Sequence, residues 1–293
     1  MRNYDFTNIK ELLKLCNLYN MKISEVMLRR EMVLGGESRE AIIENVDECL
    51  RIMNGSTNRA LLEPTRSMGG LIGGEAKLVR EMDPDKIICG SAIHKAIMYA
   101  LSVSETNASM GVIVAAPTAG SAGVLPAALL SVYEDNDSLG IDDLRMALIN
   151  ASAIGYVITR NGSVAGAEAG CQAEVGSASA MAASALVEML GGTPEQCCNA
   201  ASIAFSNLLG LVCDPARGLV EVPCQTRNTI GATGAMIAAE MSLAGVEFPV
   251  KLDDMIGIVY DVGRALPESL RETGKGGCAL GCANCVGSRS AMF

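Results

Sequence analysis

The chain has 293 residues, 49% hydrophobic and 19% charged, a balance that allows a large core and excludes an intrinsically disordered protein. Its net charge of −10 and the lack of a long basic run argue against nucleic acid as a partner. Only 3% of the residues are aromatic, so we expect small and aliphatic side chains to fill the core and let helices approach closely.

Two features indicate the cellular compartment. The first ten residues lack the apolar core of a secretory signal, and in a reducing cytoplasm the eleven cysteines would more often bind metal or react than pair. Residues 108–133 carry no charge, but prolines and glycines break them into pieces shorter than the ~20 residues of a membrane span. We therefore expect a cytoplasmic protein without a membrane segment.

Apolar residues at helical spacing predict three helices near the N-terminus, and the third should end at Asn54-Gly55. They cover residues 7–20, 24–32 and 38–53, with Thr7, Ser24 and Ser38 as the respective caps. Residues 1–64 are a candidate helical subdomain within one domain that spans residues 1–293.

A glycine-rich stretch follows, in which residues 69–74 include four glycines. Such a backbone can turn tightly, and before a helix it can bind an anion through free N–H groups. The stretch matches neither the Walker phosphate loop nor the dinucleotide fingerprint. Close helix packing remains the alternative explanation.

A helix predicted for residues 87–105 contains the only histidine, His94. A lone histidine is more often structural than catalytic. A small-residue loop, 116–123, comes next and contains Thr118 and Ser121, whose hydroxyls could bind a carboxylate. A tight turn between packed helices explains the loop equally well.

The remaining chain also favours helices, and alternating strand patterns are few, so the predicted fold is mainly α. The Ala-rich residues 163–190 are expected to form one long buried helix in which Glu168 and Glu174 flank Cys171. Buried carboxylates need partners or raised pKa values. The other predicted helices are 142–159, one from Thr193 onward, 228–244 and 252–266.

Three cysteines, Cys171, Cys213 and Cys224, lie beside glycine, proline or a charged residue, not within apolar stripes. Thiolates are soft ligands suited to zinc and to iron–sulfur clusters. Three of them could hold three corners of a cubane cluster and leave its fourth iron open as a Lewis acid. The competing interpretation is burial in the core, which is common for free cysteines.

The C-terminal segment, residues 274–293, is expected to be flexible and carries three further cysteines. Cys278, Cys282 and Cys285 have a C-x3-C-x2-C spacing that iron–sulfur clusters use. From the sequence, these thiols are either cluster ligands or incidental residues of an exposed tail.

Five stretches closely resemble the alpha subunit of the iron–sulfur-dependent L-serine dehydratases. They are S-M-G-G-L-I-G-G-E-A-K from Ser67, N-A-S-M-G-V-I-V-A-A-P-T-A-G-S-A-G from Asn107, E-A-G-C-Q-A-E-V-G from Glu168, C-D-P-A-R-G-L-V-E-V-P-C-Q-T-R-N from Cys213 and L-R-E-T-G-K-G-G from Leu270. The resemblance spans essentially the whole chain. It implies a mostly helical catalytic domain whose Gly-rich loops surround a [4Fe–4S] cluster held by Cys171, Cys213 and Cys224, without pyridoxal phosphate.

The resemblance also implies a reaction, in which L-serine loses water and the resulting aminoacrylate yields pyruvate and ammonia. By position in the matching motifs, the expected substrate contacts are Ser67, Gly69, Thr118 and Ser121. The candidate bases for the α-proton are Lys77, His94, Glu168 and Lys275. In this family a C-terminal cysteine can approach the open iron when substrate is absent, a role expected of Cys278, Cys282 or Cys285.

Two departures from the family pattern matter. Ala119 replaces the Asn of the P-T-N-G found in single-chain relatives, and an extra domain with a Ser/His-rich motif is missing. Two-chain members carry that domain on a beta subunit, so a beta partner and a hydrophobic face for it are expected. The alternatives are a lyase acting on L-cysteine or L-threonine and a non-catalytic iron–sulfur or zinc protein, such as a redox sensor.

Overall fold

The computed structural model describes residues 4–281, which form thirteen α-helices and no β-strand. The helices are α1 (Ile9–Tyr19), α2 (Ile23–Leu34), α3 (Arg39–Leu62), α4 (Glu75–Arg80), α5 (Gly90–Ala108), α6 (Val124–Glu134), α7 (Ile141–Asn161), α8 (Gly166–Ala169), α9 (Ser177–Met189), α10 (Pro194–Asn207), α11 (Cys224–Leu243), α12 (Leu252–Ala265) and α13 (Cys278–Gly281). The prediction of a mainly α fold is confirmed.

Helix α9 is the centre of the molecule, and every one of its residues is buried. It packs against α6, α7, α10 and α11. Small residues allow this close packing: a Cβ on Gly231 of α11 would lie only 2.7 Å from Val175 and 2.9 Å from Val124. The buried hydroxyl of Ser179 donates to the Gly231 carbonyl at 2.8 Å, which joins α9 to α11. The expected small-residue core is therefore present.

Two of the predicted helix starts are confirmed and two are wrong. Ser38 caps α3 and Thr193 caps α10, since each side chain accepts an N–H of the first turn. Helix α1 is capped by Asn8 instead of Thr7. Helix α2 starts before Ser24, which is buried and donates its N–H to Glu188.

The third helix extends further than predicted, to Leu62 instead of residue 53. Gly55 lies inside it without ending it. Packing against α5 explains the continuation, because the Ser102 hydroxyl accepts the Ala60 N–H at 3.1 Å and donates to the Ser56 carbonyl at 2.9 Å. A tertiary contact thus outweighs the cost of a glycine within a helix.

The prediction of one long helix over residues 163–190 is wrong. Helix α8 ends at Gly170, where φ is +76° and a Cβ would lie 2.8 Å from the Leu211 carbonyl oxygen. Cys171 follows, then a π-helical turn, Gln172–Gly176, leads into α9. Such π-turns are frequent at functional sites.

The other predicted helices differ only at their ends. The helix predicted at 87–105 spans Gly90–Ala108, and the one predicted at 228–244 begins earlier, at Cys224. Side chains of the N-terminal residues, among them Phe6, Leu12 and Leu28, belong to the same hydrophobic cluster as α9. The boundary of a subdomain at residue 64 stays a prediction. No helix within residues 4–281 is both long and apolar enough to cross a membrane.

Candidate active site

Irregular backbone brings three distant cysteines to one region. Cys171 lies just before the π-turn, and Cys224 is the first residue of α11, after a cis Val222–Pro223 peptide bond. Cys213 forms a short parallel bridge with Arg271, in which its N–H donates to Leu270 at 2.9 Å. The last motif of the resemblance is thereby fixed beside the cysteine motifs.

The three thiols are free and influence one another electrostatically. Burial is the main cause that raises the pKa of Cys171 and Cys224 to about 12, and it raises the pKa of Cys213 as well. Negative charge on Glu174 adds to burial at all three, and Cys213 is affected by both other cysteines. Without a cation these thiols keep their protons, and binding of a metal would release them.

Arg227 supplies positive charge beside the thiols. It lies one turn after Cys224 on α11, and its guanidinium lowers the pKa of Cys171 and Cys224, in opposition to burial. Its Nη1 donates to the Val212 carbonyl at 2.7 Å and pairs with Asp214 Oδ1 at 2.7 Å. Arg227 therefore favours thiolates at Cys171 and Cys224 and fixes the residues on both sides of Cys213.

Glu174 is a carboxylate in contact with one of the cysteines. Its Oε2 lies 3.8 Å from Cys213 Sγ, and its Oε1 accepts the Thr118 hydroxyl at 2.9 Å. Burial raises the pKa of Glu174. A Cβ on Gly166 would lie 2.8 Å from Cys213 Sγ and 2.7 Å from Glu174 Oε2, so glycine is required for this close approach. The structure thus brings Thr118 to the cysteine site.

Asn228 attaches the small-residue loop to the helix that carries Cys224. Its Nδ2 donates to the carbonyls of Gly120 and Cys224, both at 2.8 Å, and its Oδ1 accepts the Gly123 N–H at 2.9 Å. Ser121 is buried and exchanges hydrogen bonds with Thr118 across the short turn. Ser121 therefore shapes the loop, while Thr118 faces Glu174.

The glycine-rich stretch binds two carboxylates of the protein itself. Glu221 accepts the Ser67 hydroxyl at 2.8 Å and the Gly69 N–H at 2.6 Å. Glu105 accepts the N–H groups of Gly74 and Ala76, at 2.7 and 2.8 Å, at the start of α4. The expected anion at this loop is therefore internal, and a substrate contact from Ser67 or Gly69 stays a prediction.

The four candidate bases lie in other surroundings. Lys77 pairs with Glu81 at 3.7 Å and Lys275 with Glu268 at 3.2 Å. Glu168 is exposed and accepts the Ser163 hydroxyl, while His94 is half-buried on α5. Within residues 4–281, no hydrogen bond or ion pair joins these four side chains to Cys171, Cys213 or Cys224, and their catalytic roles stay predictions.

The first cysteine of the tail lies close to the site. The N–H of Cys278 donates to Asp214 Oδ2 at 2.6 Å, directly after Cys213 in the chain. Gly277 makes this possible: its φ is +59°, and a Cβ there would lie only 2.1 Å from the same oxygen. Cys282 and Cys285 lie outside the described residues.

The three thiols are a donor set that suits a cluster. Among residues 4–281, no three His, Cys, Asp or Glu side chains are close enough together to share a single metal ion. A cubane cluster does not require this, because each thiolate binds a different iron. Two buried thiols and one half-buried thiol, beside one arginine, supply the soft donors that such a cluster needs.

Known proteins resemble the chain over nearly all of its length. A family model described as "Serine dehydratase alpha chain" matches residues 18–279. The chain belongs to this family. It is 46% identical over 275 residues to the probable L-serine dehydratase, alpha chain, of Bacillus subtilis, which covers 94% of this chain and 91% of the relative. For the L-serine dehydratase, alpha chain, of Peptoniphilus asaccharolyticus, the identity is 44%, with 92% of each chain covered.

Longer relatives contain the same region as a part. L-serine dehydratase TdcG of Escherichia coli is 37% identical over 290 residues, which cover 94% of this chain and 62% of the relative. This member of the serine dehydratase alpha chain family therefore corresponds to about three fifths of that protein.

Sequence reasoning missed several residues that organise the site. Glu174 was noted beside Cys171 but not as a site residue, and Glu221, Arg227 and Asn228 were not singled out. All four lie inside the motifs of the resemblance, which was the available signal. Their partners could not be found, because Glu221 and Ser67, for example, are 154 residues apart.

Proposed function

We propose that this chain is the catalytic chain of an L-serine dehydratase, which converts L-serine to pyruvate and ammonia. The observation that carries the proposal is the convergence of Cys171, Cys213 and Cys224 at one site, where the first two are buried and the third is half-buried. Support comes from relatives named L-serine dehydratase, alpha chain, which are 44 and 46% identical over more than nine tenths of the chain.

Cys171, Cys213 and Cys224 would hold a [4Fe–4S] cluster, and the reaction would need no pyridoxal phosphate. When bound, a cluster with one open iron supplies a Lewis acid for the substrate hydroxyl that departs. Arg227 would help the cysteines to bind the cluster, because its positive charge favours thiolates at Cys171 and Cys224. A zinc site is less well supported, since no described set of three side chains converges on one ion.

The protein's own groups would orient the substrate. Thr118 faces Glu174 beside Cys213, and Asn228 fixes the backbone of the Thr118 loop to α11. Held in this way, the Thr118 hydroxyl can contact a substrate without reorganisation, which favours catalysis by orientation. Glu174 joins Lys77, His94, Glu168 and Lys275 as a candidate acceptor of the α-proton, because its Oε2 lies 3.8 Å from Cys213 Sγ.

The active enzyme would include a beta chain. The relatives that this chain covers almost completely are named alpha chains, whereas TdcG is longer by a region outside the match. Exposed apolar side chains lie near the site on neighbouring loops: Met68 is 67% and Met110 is 76% exposed, and the Met68 N–H donates to the Ala108 carbonyl at 2.9 Å. These residues are the candidates for the expected hydrophobic face. A cytoplasmic location stays a prediction.

A substrate comparison tests the proposal. The chain would be loaded anaerobically with iron and sulfide, mixed with a candidate beta chain, and supplied with L-serine, L-threonine or L-cysteine. The expected result is pyruvate from L-serine with the highest kcat/KM of the three. Preference for L-cysteine or L-threonine would identify a related lyase, and an intact cluster without turnover of any of them would favour a redox sensor.

A further inference from the structure

The side chain of Glu221 connects the glycine-rich stretch to the segment between two of the cysteines. Its carboxylate is only 2% exposed and accepts three hydrogen bonds. The donors are the Ser67 hydroxyl at 2.8 Å, the Gly69 N–H at 2.6 Å and the Leu71 N–H at 2.9 Å. Bonds from several N–H and O–H groups to one carboxylate are charge-assisted and directional, so they define its position closely.

The backbone of Glu221 acts on the helix that begins at Cys224. Its carbonyl accepts the Gln225 N–H at 3.0 Å, which closes the first turn of α11. Glu221 lies three residues before Cys224, and the Val222 carbonyl accepts the Ala216 N–H at 2.8 Å. These hydrogen bonds restrict the backbone between Glu221 and Cys224, so the position of the buried carboxylate influences the position of the Cys224 thiol.

The glycine-rich stretch is itself firmly held. Glu105, fully buried on α5, accepts two N–H groups at the stretch's far end, from Gly74 and Ala76. The near end is closely packed as well, since a Cβ on Gly69 would lie 2.7 Å from Glu221 Oε1 and 2.4 Å from Leu219. The stretch can thus serve as a rigid support between α5 and the cysteine segment.

We propose that Glu221 is a positioning residue that holds Cys224 in place for the cluster by anchoring the 216–223 segment to the glycine-rich stretch. The inference rests on the proposed function, because it assumes that Cys224 binds a cluster. It assigns the glycine-rich stretch a role in supporting the cluster through hydrogen bonds that the protein makes to itself.

Replacement of Glu221 tests the proposal with two readouts other than activity. In Glu221→Gln, an NH₂ group replaces one oxygen and faces N–H or O–H donors instead of accepting from them. Glu221→Asp keeps the charge but lacks one methylene of reach. Glu240→Gln, on the exposed face of α11, is the matched control. The readouts are iron and sulfide per chain after anaerobic loading and the rate at which visible absorbance is lost in air.

Both Glu221 variants should hold at least twofold less iron and sulfide, or lose absorbance at least fivefold faster, while Glu240→Gln matches the wild type. Glu221→Asp distinguishes positioning from charge. If only the negative charge mattered, this variant would load and retain the cluster as the wild type does, whereas a positioning role predicts that it is impaired. Thermal unfolding of the metal-free proteins checks folding. If Glu221→Gln does not fold, Ser67→Ala, which removes one of the three donors, decides the question by the same readouts.

The outcomes distinguish this proposal from the function on which it rests. Wild-type protein that takes up no iron would overturn both. Wild-type protein with a cluster, together with Glu221 variants that load and retain it equally well, would overturn the positioning role alone. A Glu221→Asp variant that behaves as wild type while Glu221→Gln fails would also overturn it in favour of charge.

Discussion

Asp214 holds the backbone N–H of Cys278 at 2.6 Å, so the first tail cysteine begins a helical turn next to Cys213. Burial alone would raise the pKa of Asp214, but this N–H and the Arg227 guanidinium hold it below its ordinary value. The charged carboxylate therefore joins the cysteine segment, α11 and the tail. This contact gives a structural basis for the expectation that a tail thiol can approach the cluster.

Replacement of Cys278 by serine should leave the cluster intact and change how serine activates the enzyme. Asp214 binds the backbone of Cys278, so the variant keeps the anchoring hydrogen bond. We expect iron content within about 20% of the wild type and an altered lag or KM for L-serine in anaerobic assays. Cys89→Ser, at another exposed cysteine, is the control. Loss of the whole cluster in Cys278→Ser would instead indicate that the tail carries it.

Serine at Cys171, Cys213 or Cys224 should each abolish the cluster. A hydroxyl is a poor replacement for a soft thiolate ligand, so iron per chain and visible absorbance should fall at least fivefold. Pyruvate formation should fall at least 100-fold. Cys49→Ser provides the control, since that residue lies on α3. Full iron content in any of the three variants would remove that residue from the proposed ligands.

Gly170 should be required for two reasons, its positive φ and the lack of space for a Cβ. Gly170→Ala places a Cβ 2.8 Å from the Leu211 carbonyl oxygen, whereas Gly191 has a similar φ, +84°, and open space around it. Both alanine variants should lose about 1–3 kcal/mol, because a positive φ strains a residue that carries a Cβ. Gly170→Ala should lose about 1–3 kcal/mol more from the clash, measured by urea unfolding. Equal losses would show that the close approach costs nothing.

A buried carboxylate near the end of α9, Glu188, should make stability depend on pH. Burial raises the pKa of Glu188, whose Oε2 accepts Asn150 Nδ2 at 2.7 Å and whose Oε1 has no hydrogen-bond partner among residues 4–281. The folded state therefore binds its proton more tightly than the unfolded state. Stability from this group is complete below the ordinary carboxyl pKa and is lost as pH rises through the raised folded value.

Glu188→Gln should remove this loss. The variant should match the wild type near pH 4 and exceed it at pH 8, by roughly 1 kcal/mol or about 2–4 °C in Tm. Thermal unfolding of the metal-free proteins across this range is the measurement, and the exposed Glu247→Gln is the control. A variant that is less stable than the wild type by the same amount at every pH would contradict the account.

Most helices could be predicted from the sequence because they depend on residues close together in the chain. Ser38 and Thr193 cap their helices through bonds to the first turn, and apolar spacing marks the buried faces. The errors have tertiary causes. Packing of Ser102 against Ser56 carries α3 past Gly55, and the Leu211 carbonyl, 41 positions away, requires the glycine that ends α8 at Gly170.

The site was predictable in part for the same reason. The cysteines are candidates because their motifs are specific, and Thr118 is one because it lies in a small-residue loop. The partners of these residues come from distant segments: Glu174 meets Thr118 across 56 positions and Glu221 meets Ser67 across 154. A single sequence does not contain these pairings, so it does not reveal that Glu105 and Glu221 supply the anions at the glycine-rich stretch.

The most direct test of the central claim is the visible spectrum of the anaerobically purified chain, recorded with its iron and sulfide content and with pyruvate formation from L-serine in the presence of a beta chain. The account predicts a brown protein with about four iron and four sulfide per chain that forms pyruvate and loses both colour and activity in air. A colourless protein that forms pyruvate equally well in air would contradict it.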